Sequence, residues 1–104
     1  MATATLLEQT QELLHHSVPG DQGIDIKVRE LIKAEWLRRL ARYRRVDMDL
    51  TRKYGPSFDE FVKQRIARKI EYSWEVEQDA MDWETAVGGM QTIECKLKEM
   101  REDQ

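Results

Sequence analysis

The sequence has one cysteine, Cys95, two prolines and five glycines, and no apolar run approaches the length of a membrane span. A single cysteine cannot close an internal disulfide. With only two histidines beside it, the chain also lacks the usual ligand set of a structural zinc site. So few glycines and prolines leave few turns, which favours a few long elements over many short ones. No positively charged stretch followed by an apolar run opens the sequence, so the expected compartment is a reducing cytoplasm with no membrane association. A Gly-rich phosphate loop and a nucleophile–base pair are both missing. The expectation is a protein that is not an enzyme, with no catalytic, cofactor-binding or metal-ligating residue.

What is present is charge and helical periodicity. Hydrophobic residues make up 40% and charged residues 36% of the 104 positions, with a mean hydropathy of -0.72. Such a composition suits long helices that each bury one stripe. Three tryptophans and five methionines supply bulk for a core and argue against disorder throughout. The formal net charge of -3 conceals a strong segregation. Residues 1–26 hold four acids and no bases, whereas residues 27–54 hold ten Lys/Arg against four acids. Residues 71–104 reverse the balance, with ten acids against three bases.

The apolar spacing predicts a short amphipathic helix from Thr5 to His16, with Leu6, Leu7, Leu13 and Leu14 on one side. Val18-Pro19-Gly20 and the polar residues after it make a hinge, so residues 1–23 read as an arm. Residues 24–104 read as a helical bundle domain. Its first helix is expected to start near Asp25 as N-cap and run to Tyr54, roughly 40 Å of helix. The buried stripe would be Val28, Ile32, Trp36, Leu40, Tyr43, Val46 or Asp47, Leu50 and Tyr54, in steps of three and four. Gly55-Pro56 ends it, because glycine can take the left-handed position after a helix and proline cannot continue one.

Ser57-Phe58-Asp59-Glu60 reads as a capping box for a short helix that carries Phe58, Phe61, Val62, Ile66 and Ile70 on one side. Ser73 is a second candidate N-cap. From about Trp74 to Met100, a last helix aligns Val76, Ala80, Trp83, Val87, Met90, Ile93, Leu97 and Met100. Gly88-Gly89 in its middle predicts a kink or a break. The fold class is therefore all-α: an elongated helical hairpin with a long basic helix, a short linking helix and a long acidic helix. Two long helices cannot cover wide apolar faces alone, so completion by a homodimeric four-helix bundle is expected, or closure by the N-terminal arm within one chain.

Few constellations could carry chemistry. His15 and His16 diverge by about 100° on a helix and do not suit one metal ion. Cys95 has Lys96 and Lys98 beside it but no histidine or other partner, and reads as inert. Glu71, Glu75, Glu77, Asp79, Asp82 and Glu84 form an acidic cluster, within which Glu75, Asp79 and Asp82 share one helical face. Helical hydrolases hold magnesium with such ladders, but they need carboxylates from several helices. A solvated face, or one paired with bases, is the reading adopted. The run Arg38, Arg39, Arg42, Arg44, Arg45, Arg52 and Lys53 could contact phosphates, with Arg38, Arg42, Arg45 and Arg52 as the candidates. It could equally meet the acidic helix of its own or a second chain. Asp47 and Asp49 interrupt it and no helix-turn-helix pattern precedes it, so nucleic acid is not the favoured partner.

Two stretches carry a resemblance. Arg52-Lys53-Tyr54-Gly55-Pro56-Ser57-Phe58-Asp59-Glu60-Phe61 joins a charged helix to a Ser-Phe-acidic-Glu-Phe start. Ser73-Trp74-Glu75-Val76-Glu77-Gln78-Asp79 through Asp82-Trp83-Glu84 is an acidic segment with spaced tryptophans. Over residues 36–100 these resemble a family of small all-helical proteins of prokaryotic toxin–antitoxin cassettes. Pro56 departs from the pattern where it has a hydrophobic residue, and Gly88-Gly89 interrupts a helix the pattern keeps continuous. The resemblance implies a non-catalytic antitoxin-like subunit that neutralises a partner toxin, often a nuclease. An acidic surface of Trp74, Glu75, Asp79, Asp82 and Glu84 would then meet the basic residues of the toxin, with Trp74 at the interface and Trp83 in the core. On this reading, replacing Asp79 and Asp82 by Lys abolishes inhibition and leaves helicity intact.

Overall fold

The structure, a computed structural model, describes the backbone of residues 6–68 and 73–102 and the side chains of 6–64 and 73–102. Thr5, Ile66, Ile70 and Glu71 fall outside the described side chains. Among the described residues the chain is all-α, with α1 at Glu8–Ser17, α2 at Ile24–Tyr54, α3 at Phe58–Arg68 and α4 at Trp74–Glu102. The chain divides into two compact units, residues 1–36 and 37–104.

In the first unit, α1 ends where the Val18 N–H donates to the Leu14 carbonyl at 2.8 Å, and Gly20 follows at a φ of +128°. Asp25 lies inside the first turn of α2, paired with Arg29 at 3.3 Å, so the helix begins one residue before the expected cap. The four leucines of the arm do not share one environment. Leu14 is buried and Leu6 half-buried, whereas Leu7 is 76% and Leu13 68% exposed. Neighbours in sequence stand about 100° apart on a helix, so Leu13 and Leu14 cannot both face inward.

The buried partner from α2 is unexpected: Lys27, only 1% exposed, with Nζ 2.8 Å from His15 Nδ1. An ammonium only donates, so in this contact the His15 Nδ1 is the acceptor. Replacing His15 by alanine leaves a buried ammonium without that acceptor, a loss of about 1–3 kcal/mol. Lys27→Met removes donor and charge together while keeping the aliphatic length, and is expected to be neutral or stabilising. Urea denaturation of the two variants checks this; coincident midpoints for His15→Ala and wild type would refute the pairing.

In the second unit, α2 from Leu37 onward and α4 run antiparallel, as their side-chain pairs show. Arg44 lies 3.5 Å from Glu94, the Trp83 Nε1–H donates to Asp47 at 2.8 Å, and Lys53 lies 2.7 Å from Asp79. Between them, Gly55 takes a φ of +93° and its N–H donates to the Thr51 carbonyl, which closes α2 as the Gly-Pro pair predicts. The Ser57 hydroxyl accepts the Glu60 N–H at 3.4 Å and the Ser73 hydroxyl accepts the Val76 N–H at 3.1 Å, so both expected caps form. The core gathers Leu50, Phe61, Ala80 and Trp83, with Val46, Tyr54, Phe58, Val76 and Val87 packed against it. Trp83 is fully buried, its ring centroid 5.1 Å from that of Phe61, 5.5 Å from Phe58 and 6.1 Å from Tyr54.

The break expected at Gly88-Gly89 is absent, and α4 continues through both. The two glycines differ in their surroundings. A methyl group on Gly89 would overlap the Tyr43 ring of α2, whereas one on Gly88 would meet open space. Gly89 therefore admits the close approach of a ring to the helix backbone, and Gly88 only weakens the helix. Gly88→Ala is expected to stabilise by about 1 kcal/mol. Gly89→Ala should destabilise in spite of the same gain in helix propensity. Thermal melts shifting in the same direction for both would contradict this packing.

Candidate functional site

The first half of α4 holds every candidate of the acidic surface, and the fold sorts them into different roles. Successive turns of the helix present one face to α2 and α3 and another outward. Glu75 and Asp79 turn toward α2. The Lys53 ammonium donates to Glu75 at 2.6 Å and to Asp79 Oδ2 at 2.7 Å, and the Tyr54 hydroxyl donates to the same Asp79 oxygen at 2.6 Å. Lys53 also stands 5.5 Å from the centroid of the Tyr54 ring.

This cluster perturbs its own ionisation. The hydrogen bond from Lys53, then that from Tyr54, holds the Asp79 carboxyl below the usual carboxylate range. Bonds to Asp79 and then Glu75 hold the Lys53 ammonium above its ordinary value. Burial first, and the bond to Asp79 second, pushes the Tyr54 phenol up. Two of the five residues in the expected partner-binding set are thus engaged within the chain. Asp79 is half-buried, and its Lys53 and Tyr54 contacts tie α4 to the end of α2.

The outward residues are different. Trp74 is 80% exposed at the first position of α4. Two turns on, Met81 is 56% exposed, and Glu84 follows it, also exposed. These share a side of the helix by their spacing of seven and three. Trp83 is the core residue and Trp74 the surface one, as the apolar stripe indicates. Asp82 is exposed and accepts from the Gln78 amide at 3.1 Å. Sequence reasoning missed Met81 because it lies off the apolar stripe, yet its position seven residues after Trp74 was the available signal.

On α2, Arg38, Arg42, Arg45 and Arg52 are all exposed and follow at intervals of four, three and seven, so they lie along one face. Asp49 is exposed on the same face, between Arg45 and Arg52. Arg44 faces α4 and pairs with Glu94. Among the described residues, no group of three or more His, Cys, Asp or Glu side chains could hold a metal ion. Cys95 is exposed, its sulfur 3.9 Å from a Glu99 oxygen. No helix among the described residues is long and apolar enough to cross a membrane. Compared with family models, curated proteins and solved structures, the chain matches none.

Proposed function

We propose that this protein is a non-catalytic binding subunit of antitoxin type, which recognises a basic partner protein through the outward face of α4. The observation that carries the reading is Trp74, 80% exposed and aligned with Met81 and Glu84. A tryptophan left in water at a helix start contributes nothing to the core two residue positions away from it. Apolar side chains edged by carboxylates complement a surface of lysines and arginines, such as a nuclease uses to hold phosphates. The partner inferred is accordingly a toxin nuclease whose basic groups the antitoxin occupies, in the cytoplasm. No cofactor or metal enters this mechanism.

The test is affinity purification of the tagged protein from its native host at moderate ionic strength, with mass spectrometry of the eluate. One small basic companion in stoichiometric amount is expected. Trp74→Ala combined with Glu84→Lys should lose that companion by tenfold or more, as an interfacial tryptophan and a reversed charge together cost well over about 2 kcal/mol. Circular dichroism should be unchanged, since both side chains are exposed. Recovery of the protein alone, or retention of the companion by the double variant, overturns the reading.

A self-associating homodimer is a second reading, favoured by Leu37 and Met48, which are 48% and 59% exposed on α2. Sedimentation equilibrium at low and high salt separates it from phosphate binding by the arginine face. Apolar pairing persists in salt, whereas nucleic-acid contacts weaken steeply.

A further inference from the structure

Between α2 and α4 of the second unit lies an open groove of about 400 Å³. Val46 and Leu50 of α2 and Ala86 of α4 give it an apolar lining, and Tyr43 also lines it. Its polar residues are mainly acids: Asp49 from α2, and Asp79 and Asp82 from α4. Asp79 is already served by Lys53 and Tyr54. Asp82 accepts one bond at Oδ1 from Gln78, and Asp49 has no hydrogen-bond or ion-pair partner among the described residues. The groove therefore combines apolar walls with two exposed carboxylates, Asp49 and Asp82, one from each helix.

The geometry points to this groove as the receptor for an arginine side chain of the basic partner, an inference that rests on the binding function proposed above. The aliphatic stem of arginine matches Val46, Leu50 and Ala86. Its guanidinium offers five donors in one plane and can serve carboxylates on two walls, which a compact ammonium does less well. The Tyr43 ring adds a face for the cation.

The experiment is an NMR titration of the isotope-labelled full chain with N-acetylarginine amide, and with the citrulline amide as an uncharged control of similar shape. Weak binding in the millimolar range is expected for a single side chain. Shifts should concentrate at Asp49, Asp82 and Ala86, be absent with citrulline, and disappear in Asp49→Asn and Asp82→Asn. Both substitutions keep side-chain shape at exposed positions, and the citrulline control does not depend on either variant folding. No shifts, equal shifts with citrulline, or shifts elsewhere overturn the inference. So does concentration-dependent broadening at the groove without ligand, which assigns it to a second copy. A stoichiometric companion in the purification with a blank titration sinks the groove alone. A positive titration with no companion sinks the proposed partner and leaves the arginine site standing.

Discussion

Replacing Trp83 by alanine should destabilise the second unit by about 3–5 kcal/mol, the range for deleting a large buried aromatic side chain. That is a large fraction of the total for a small domain, about 5–15 kcal/mol. The reason lies in what the ring touches. It is wholly buried and packs beside Phe58, Phe61 and Tyr54, so its loss opens a cavity where α2, α3 and α4 meet. Its indole N–H also holds Asp47 at 2.8 Å, and that carboxylate would lose a donor. Trp83→Phe separates the two contributions. It keeps most ring contacts and removes the donor, and should cost about 1–3 kcal/mol. Trp74→Ala, on the same helix but exposed, should leave the midpoint within about 0.5 kcal/mol. Urea unfolding followed by circular dichroism measures all three. Equal midpoints for Trp83→Ala and Trp74→Ala would contradict the packing described.

The contrast between these two tryptophans shows where a sequence pattern is informative. Trp83 falls within a stripe of apolar residues repeating at three and four, and a helix must bury such a stripe. Trp74 lies off the stripe at a capped start, and Ser73 and Ser57 announce those starts by residue type alone. Gly55 likewise announces its turn. What escaped is whatever depends on the neighbouring helix. The pair at Gly88-Gly89 signals a weak helix by propensity, yet the Tyr43 ring that lies against Gly89 comes from distant sequence. Lys27 was legible only as a charge, because its pairing with His15 requires α1 to be in place. The acidic surface was legible as a surface but not in its division. Only the register of α2 against α4 brings Glu75 and Asp79 onto Lys53, with Asp79 half-buried and Glu75 still exposed, and leaves Trp74, Met81 and Glu84 outward. For the same reason, charge reversal at Asp79 no longer serves as a clean test of partner binding.

Asp79→Asn is expected to flatten the dependence of stability on pH and to lower stability at neutrality. In the folded chain the Asp79 carboxyl lies below its usual value. Its contribution is then present above the unfolded carboxylate value, about 3.9, and lost as pH falls through the folded one. Tyr54 and Lys53 shift the other way. Their contributions are complete below their unfolded values, about 10 and 10.4, and fade as pH rises through the folded ones. The wild-type chain should therefore show a plateau with an acid limb and an alkaline limb. Asparagine cannot ionise, so the Asp79 part of the acid limb disappears. The alkaline limb shrinks as well, since Asp79 is the leading cause of the Lys53 shift and contributes to that of Tyr54. The loss at neutrality comes mainly from the half-buried Tyr54 hydroxyl, whose bond to a carboxylate is replaced by one to an amide oxygen, a difference of about 1 kcal/mol. Lys53 is well exposed and its ion pairs are screened by solvent, so they add little. Asp79→Lys should be worse, because it sets a second ammonium beside Lys53 and takes the acceptor from Tyr54. Urea midpoints collected from pH 3 to pH 11 decide the matter. Superimposable profiles for wild type and Asp79→Asn would remove Asp79 from the fold and return it to the surface available to a partner.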